Sequence, residues 1–138
     1  MKRFVFACFM FVIMAAMSVT GAFAMSDAKA ANFVTDEWLK DNLDSVLLLD
    51  ARGEKAYTAG HIEGALSSPW TAWTDLRGLK QGEPSWNTTK DVADLEKYLT
   101  SLGVAGGKQI IVYADPSGLG EDGRVIWELK LAGVDNVK

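Results

Sequence analysis

The sequence predicts an α/β domain built on a parallel sheet, and three features carry that prediction. Val46-Leu47-Leu48-Leu49 and Ile110-Ile111-Val112-Tyr113 are short unbroken apolar runs, the pattern of strands buried on both faces. Between them, Val92, Leu95, Leu99 and Leu102 stand at i, i+3, i+7 and i+10 and mark a helix over residues 91–102, stopped by Gly103. Helix and strand then alternate along the chain, as a parallel sheet requires.

The first segment reads as an address outside that fold. Met1-Lys2-Arg3 is a positive start, residues 4–17 are almost wholly apolar, and Ala22-Phe23-Ala24 supplies a small-residue cleavage pattern. Residues 1–24 therefore match a secretory signal peptide, and the small residues at the end favour cleavage over a retained membrane anchor. Cleavage would leave 114 residues, remove the single cysteine, Cys8, and move the net charge from −4 to −6. A periplasmic or secreted, thiol-free, acidic domain is the expected product, with no stable membrane anchor.

The remaining elements follow in order. Residues 25–32 are a loose lead-in. Thr35 is a good helix N-cap, with Asp36 and Glu37 in the first turn and Trp38, Leu39 and Leu43 on one face. A strand ends at Asp50, a short helix over residues 54–59 stops at Gly60, and a second strand is expected over 62–67, closed by Pro69. Residues 70–87 show no period and read as a long loop. Asn87-Thr88-Thr89 fits a glycosylation sequon, relevant only in a eukaryotic secretory pathway. After the strand over 109–114 comes a loop, then a helix from Glu121 or Asp122 to Ala132. Its apolar residues lie on most sides, which predicts cover on two faces. Residues 134–138 begin another strand, so the sequence reads as truncated there or as completed by a neighbouring segment.

Composition excludes several functions. One cysteine and one histidine rule out a disulfide framework and multi-ligand Cys or His metal sites, and no cofactor is expected. Fourteen Lys and Arg against 18 Asp and Glu make nucleic acid an unsuitable partner. Sites in parallel sheets lie at the carboxyl ends of strands, which points to Asp50-Ala51-Arg52-Gly53 and to residues 115–120. Gly118-Leu119-Gly120-Glu121-Asp122-Gly123 matches a dinucleotide fingerprint. However, it follows its strand too late and places two acids where pyrophosphate needs positive potential. An aspartyl phosphatase strand needs a second acid at the position of Arg52, and Gly106-Gly107-Lys108 lacks the rest of a P-loop.

Two segments taken together resemble the rhodanese domains of the thiosulfate sulfurtransferases. Leu48-Leu49-Asp50-Ala51-Arg52 through Gly60-His61-Ile62-Glu63-Gly64-Ala65 is similar to the signature near the start of that family. Ile110-Ile111-Val112-Tyr113, the loop, and Gly123-Arg124-Val125-Ile126-Trp127 resemble its active-loop strand and following helix. The resemblance spans residues 33–138. It implies a central parallel sheet flanked by helices, with a further strand and helix after Lys138. Active members of the family carry a persulfide-forming cysteine directly after the Val-Tyr strand, where this chain has Ala114 and Asp115. The pattern is similar to the amino-terminal half of exported tandem rhodaneses, in which the first domain lacks the cysteine and helps wall the cleft of the second. The resemblance thus implies a non-catalytic half with a cysteine-bearing rhodanese domain as partner.

Each site residue also has a plainer reading. Asp50 and Arg52 could position a partner or form an ion pair bracing the loop. His61 suits a hydrogen-bonded turn better than a catalytic base. Glu121 and Asp122 are favourable charges at a helix start. Arg124 is the cation of the loop–helix junction, pairing with Asp115 or Glu128. Trp70, Trp73, Trp86 and Trp127 are candidates for an inter-domain surface, Trp70 and Trp73 above all, although some must be core. The rival function is a stand-alone binding module that uses the Arg52/Arg124 end of the sheet to hold a small anion or a protein.

Overall fold

The structure is a computed structural model and describes residues 31–76, 80–104 and 107–138. The chain divides into two compact units, Met1–Val34 and Thr35–Lys138. The expected signal peptide, Cys8, residues 25–30 of the lead-in and Gly106 all lie outside the described residues. The second unit carries the fold.

Helix α1 (Asp36–Asn42) starts where the Thr35 side chain accepts the Trp38 N–H at 3.2 Å. None of its residues is buried; Leu39 is half-buried while Trp38 faces outward, so the helix packs lightly. After a 3-10 turn (Leu43–Ser45), strand β1 (Val46–Asp50) forms the centre of a parallel sheet. On one side lies β2 (Leu66–Ser67) and on the other β5 (Gln109–Tyr113), giving the order β2-β1-β5. Register runs from Val46 opposite Gln109 to Asp50 opposite Tyr113. Outside β5, Val137 makes a parallel bridge to Ile110, and the Val112 N–H donates to the Lys138 carbonyl at 2.9 Å.

Four expectations are corrected. The strand expected over 62–67 shrinks to Leu66–Ser67. Gly64 adopts φ 78°, and the Ala65 N–H donates to the Ile62 carbonyl at 3.0 Å, so residues 62–65 close a turn. The loop over 70–87 contains structure. A 3-10 turn (Trp70–Ala72) leads into β3 (Thr74–Asp75), which pairs antiparallel with β4 (Thr88–Thr89). Two-residue strands carry no period, so no pattern in the sequence marks them.

Trp73 is no interface residue. It is fully buried, its indole N–H donates to Ser68 Oγ at 3.1 Å, and its ring stands edge-on to Tyr98 at 5.2 Å. Satisfying the one polar atom lets the largest side chain of the core sit without contact with water.

The last correction concerns helix α4 (Glu121–Leu131), expected to be covered on two faces. Val125 and Leu129 are fully buried, but Trp127 is 51% and Leu131 58% exposed. Residues 125 and 129 stand one turn apart on the face against the sheet, whereas 127 lies on the other side of the helix. Helix α3 (Val92–Ser101) starts at Asp91, whose carboxylate accepts the Asp94 N–H at 2.9 Å. It buries Leu95 and, just past its end, Leu102, while Val92 at its first turn stays exposed. Helix α2 (Glu54–Ala59) ends at Gly60 as expected.

Candidate functional site at the strand tips

Parallel register brings the carboxyl ends of β1 and β5 side by side, and the Ala51 N–H donates to the Tyr113 carbonyl at 2.9 Å. Asp50 is fully buried at this point. Arg52 turns back onto it: Nε donates to Oδ1 at 2.9 Å, Nη2 to Oδ2 at 2.6 Å, and the Arg52 N–H to Oδ1 at 3.0 Å. The Tyr113 hydroxyl donates to Oδ2 at 2.8 Å and accepts the Ile62 N–H at 3.1 Å. Burial alone would raise the Asp50 pKa. The hydrogen bonds from Arg52 and Tyr113, together with the Arg52 charge, outweigh it and hold the carboxyl below its ordinary value. Burial pushes the Tyr113 phenol up, so it remains a donor at neutral pH.

Arg52 Nη2 also donates to the Gly60 carbonyl at 2.7 Å, which ties the end of α2 to the strand tip. His61 continues that corner: its Nδ1 lies 3.0 Å from the Tyr57 carbonyl, and its ring stacks on Tyr57 at 3.9 Å. Asp50 and Arg52 therefore brace the turn after α2, while His61 packs back onto Tyr57 of that helix. Tyr113 and Gly60 lie inside the segments that carry the resemblance, but their bonds to Asp50 and Arg52 are contacts that no spacing reveals.

The second tip is the loop from Ala114 to Gly120. Two of its amides, those of Ser117 and Leu119, are taken by acid side chains, and the Gly118 amide by a backbone carbonyl. Asp115 Oδ1 accepts the Ser117 N–H at 2.8 Å and the Ser117 hydroxyl at 2.6 Å, and these bonds hold the Asp115 carboxyl below its ordinary value. Glu121 Oε2 accepts the Leu119 N–H at 3.0 Å, and the Gly118 N–H donates to the Asp115 carbonyl at 2.8 Å. Asp122 Oδ1 takes the Gly123 N–H at 2.9 Å. A dinucleotide phosphate would need these same donors, so the glycine fingerprint does not make a phosphate cradle here.

Arg124 does not pair with Asp115. It donates from Nε to Glu128 Oε1 at 2.9 Å, and Nη2 lies 2.8 Å from the same oxygen. Nη2 also donates to the Asn87 carbonyl at 3.1 Å, and the guanidinium lies 5.1 Å from the centre of the Trp127 ring. Glu128 is fully buried, and Thr89 Oγ1 donates to it at 3.3 Å, while its Oε2 has no hydrogen-bond partner among the described residues. Arg124 is thus spent on an ion pair and on the β4 segment.

Beside it, a cavity of about 270 Å³ is lined by Trp70, Asn87, Leu119, Gly120, Glu121 and Arg124. The role of Asn87 could not be read from the sequence, since its carbonyl meets Arg124 across 37 positions, from a backbone at φ 63°. No group of His, Cys, Asp and Glu suited to a metal occurs among the described residues.

The comparisons with known proteins agree with this architecture. A family model described as "Rhodanese-like domain" matches residues 35–138. The crystal structure of SseA from Escherichia coli, reported under the "Rhodanese" fold and catalytic mechanism of 3-mercaptopyruvate sulfotransferases, is similar at TM-score 0.60 and 27% identity. That similarity covers 78% of this chain and 40% of SseA, so the chain spans less than half the length of this relative. No curated protein matches. The parallel sheet, the two strand tips and the family match lead to one conclusion: the chain belongs to the rhodanese-like domain family and is related to the sulfurtransferases.

Proposed function

We propose that this chain is the non-catalytic half of an exported sulfurtransferase acting on thiosulfate-type donors, and that it walls the cleft of a cysteine-bearing rhodanese domain. One observation carries the reading: Ala114 stands at the tip of β5, where the resemblance places the persulfide-forming cysteine. Sulfur transfer through a persulfide needs a thiolate nucleophile, and a methyl group cannot supply one. The only cysteine of the chain is Cys8, inside the segment expected to be the signal peptide.

The Ser117 and Leu119 amides, held by the Asp115 and Glu121 carboxylates, support the same reading. The partner would meet exposed Leu119 of the loop and, farther along the outer side of α4, exposed Trp127 and Leu131, with half-buried Trp70 at the rim of the cavity. Such a surface suits a docking wall better than an anion site.

The test is a thiosulfate:cyanide sulfur-transfer assay on the full chain and on its Cys8→Ser variant. No thiocyanate above the uncatalysed rate is expected from either, and neither should gain a labile sulfur adduct on incubation with thiosulfate. Turnover, or an adduct that survives in Cys8→Ser, would overturn the reading.

A further inference from the structure

We propose that Glu121 is an internal plug: its carboxylate occupies the strand-tip loop and keeps oxyanions out of the cleft beside it. The inference deepens the functional reading above, because it rests on residues 114–120 being the counterpart of the family's active loop. Three observations make the case.

Glu121 stands at the first position of α4 and folds back over the loop, so that Oε2 accepts the Leu119 N–H at 3.0 Å. An outward-pointing carboxylate would be solvated. This one instead takes a donor that an incoming anion would need. Second, the loop is shaped to admit it. A Cβ at Gly118 would collide with Glu121 Oε2 and would lie 2.9 Å from the Asp115 carbonyl, so the absence of a side chain at 118 makes room for the carboxylate. Third, Glu121 lines the cavity of about 270 Å³ together with Leu119, Gly120 and Arg124. The cation of that cavity is already paired with Glu128 at 2.8 Å, which leaves Glu121 as the uncompensated charge on the wall.

An oxyanion entering the cleft therefore meets an occupied amide and a like charge together. Loss of the cysteine and the presence of Glu121 are two separate barriers to sulfur chemistry. Restoring a thiol at Ala114 would remove only the first.

The experiment follows backbone amide shifts of Gly118, Leu119 and Gly120 by 15N NMR while thiosulfate or sulfate is added to the full chain at constant ionic strength. Wild type should show no saturable shift. Glu121→Ala should show saturable shifts at these amides, with an affinity about fivefold or more above the upper limit that the wild-type titration sets, the weight of one unit charge at contact distance in water. Glu121→Gln keeps the size of the side chain and loses the charge; it should move the same amides in the same direction by less, and it carries the test if Glu121→Ala does not fold.

Saturable binding to wild type, or a flat titration for both variants, would overturn the plug. So would an equal response to chloride, which would show no preference for oxyanions. These outcomes are separable from the functional reading, since a wild-type chain that turned over thiosulfate would sink that reading whatever the titration showed.

Discussion

Asp50 has no exposed surface, and its charge survives there only because Arg52 and Tyr113 supply donors to both of its oxygens. Breaking such a pair from one side leaves an uncompensated buried charge. Arg52→Ala should therefore destabilise the fold by about 3 kcal/mol at pH 7, read from the urea midpoint, with part of the full buried-pair cost screened at the Arg52 side chain, which is 22% exposed. The sign with pH follows from the lowered Asp50 pKa. A carboxyl whose folded pKa lies below its unfolded value contributes fully above the ordinary value of about 3.9 and loses that contribution as pH falls through the folded value. Wild type should thus weaken on acidification below about pH 4, and Asp50→Asn should flatten this part of the profile. A variant profile as steep as wild type would remove Asp50 as the cause. The Asp50–Arg52 pairing was legible in the sequence because the two residues are neighbours; Tyr113, 63 positions away, was not.

At the scale of elements, the informative contact joins α4 to β4. Arg124 and Glu128 stand one turn apart on the helix, an ordinary i,i+4 spacing. The fold converts it into a buried clamp, because Asn87 and Thr89 complete it from the far end of the 70–89 segment. Arg124→Ala should lower stability by about 3 kcal/mol, as expected when one partner of a buried pair is removed. The double change Arg124→Met with Glu128→Leu should recover most of that loss, because no charge is then left buried. Thermal melts of the three proteins decide it, and a double variant no better than Arg124→Ala would show that the clamp acts by something other than charge burial. The sequence offered Asp115 and Glu128 as partners of Arg124 on equal terms. Only the turn of loop 114–120, which engages Asp115 with Ser117, separates them.

Across the whole molecule, the tryptophans divide by where their surroundings place them. Trp73 belongs to the core, and Trp127 with Leu131 forms an exposed stripe on α4. Changing Leu131 to Ser should leave stability within about 0.5 kcal/mol, as for other surface changes, while Trp127→Ser also removes the ring beside Arg124 and should cost about 1 kcal/mol. The same pair should reduce the effect of this chain on the sulfur-transfer rate of a cysteine-bearing rhodanese domain mixed with it or joined to it. A variant that supports that rate as well as wild type would free α4 from the docking role.

What the sequence determined by itself is local. The apolar runs of β1 and β5, the cap at Thr35, the stop at Gly60 and the absence of a thiol after Tyr113 depend on neighbours within a few positions, where propensity and period operate. The tertiary structure decided which tryptophan is buried, which acid holds Arg124 and where the Glu121 carboxylate rests. Those outcomes turn on contacts and backbone geometry that no spacing encodes, such as the meeting of Asn87 with Arg124 across 37 positions. Burial and charge pairing are properties of the assembled surroundings, and only the folded chain supplies them.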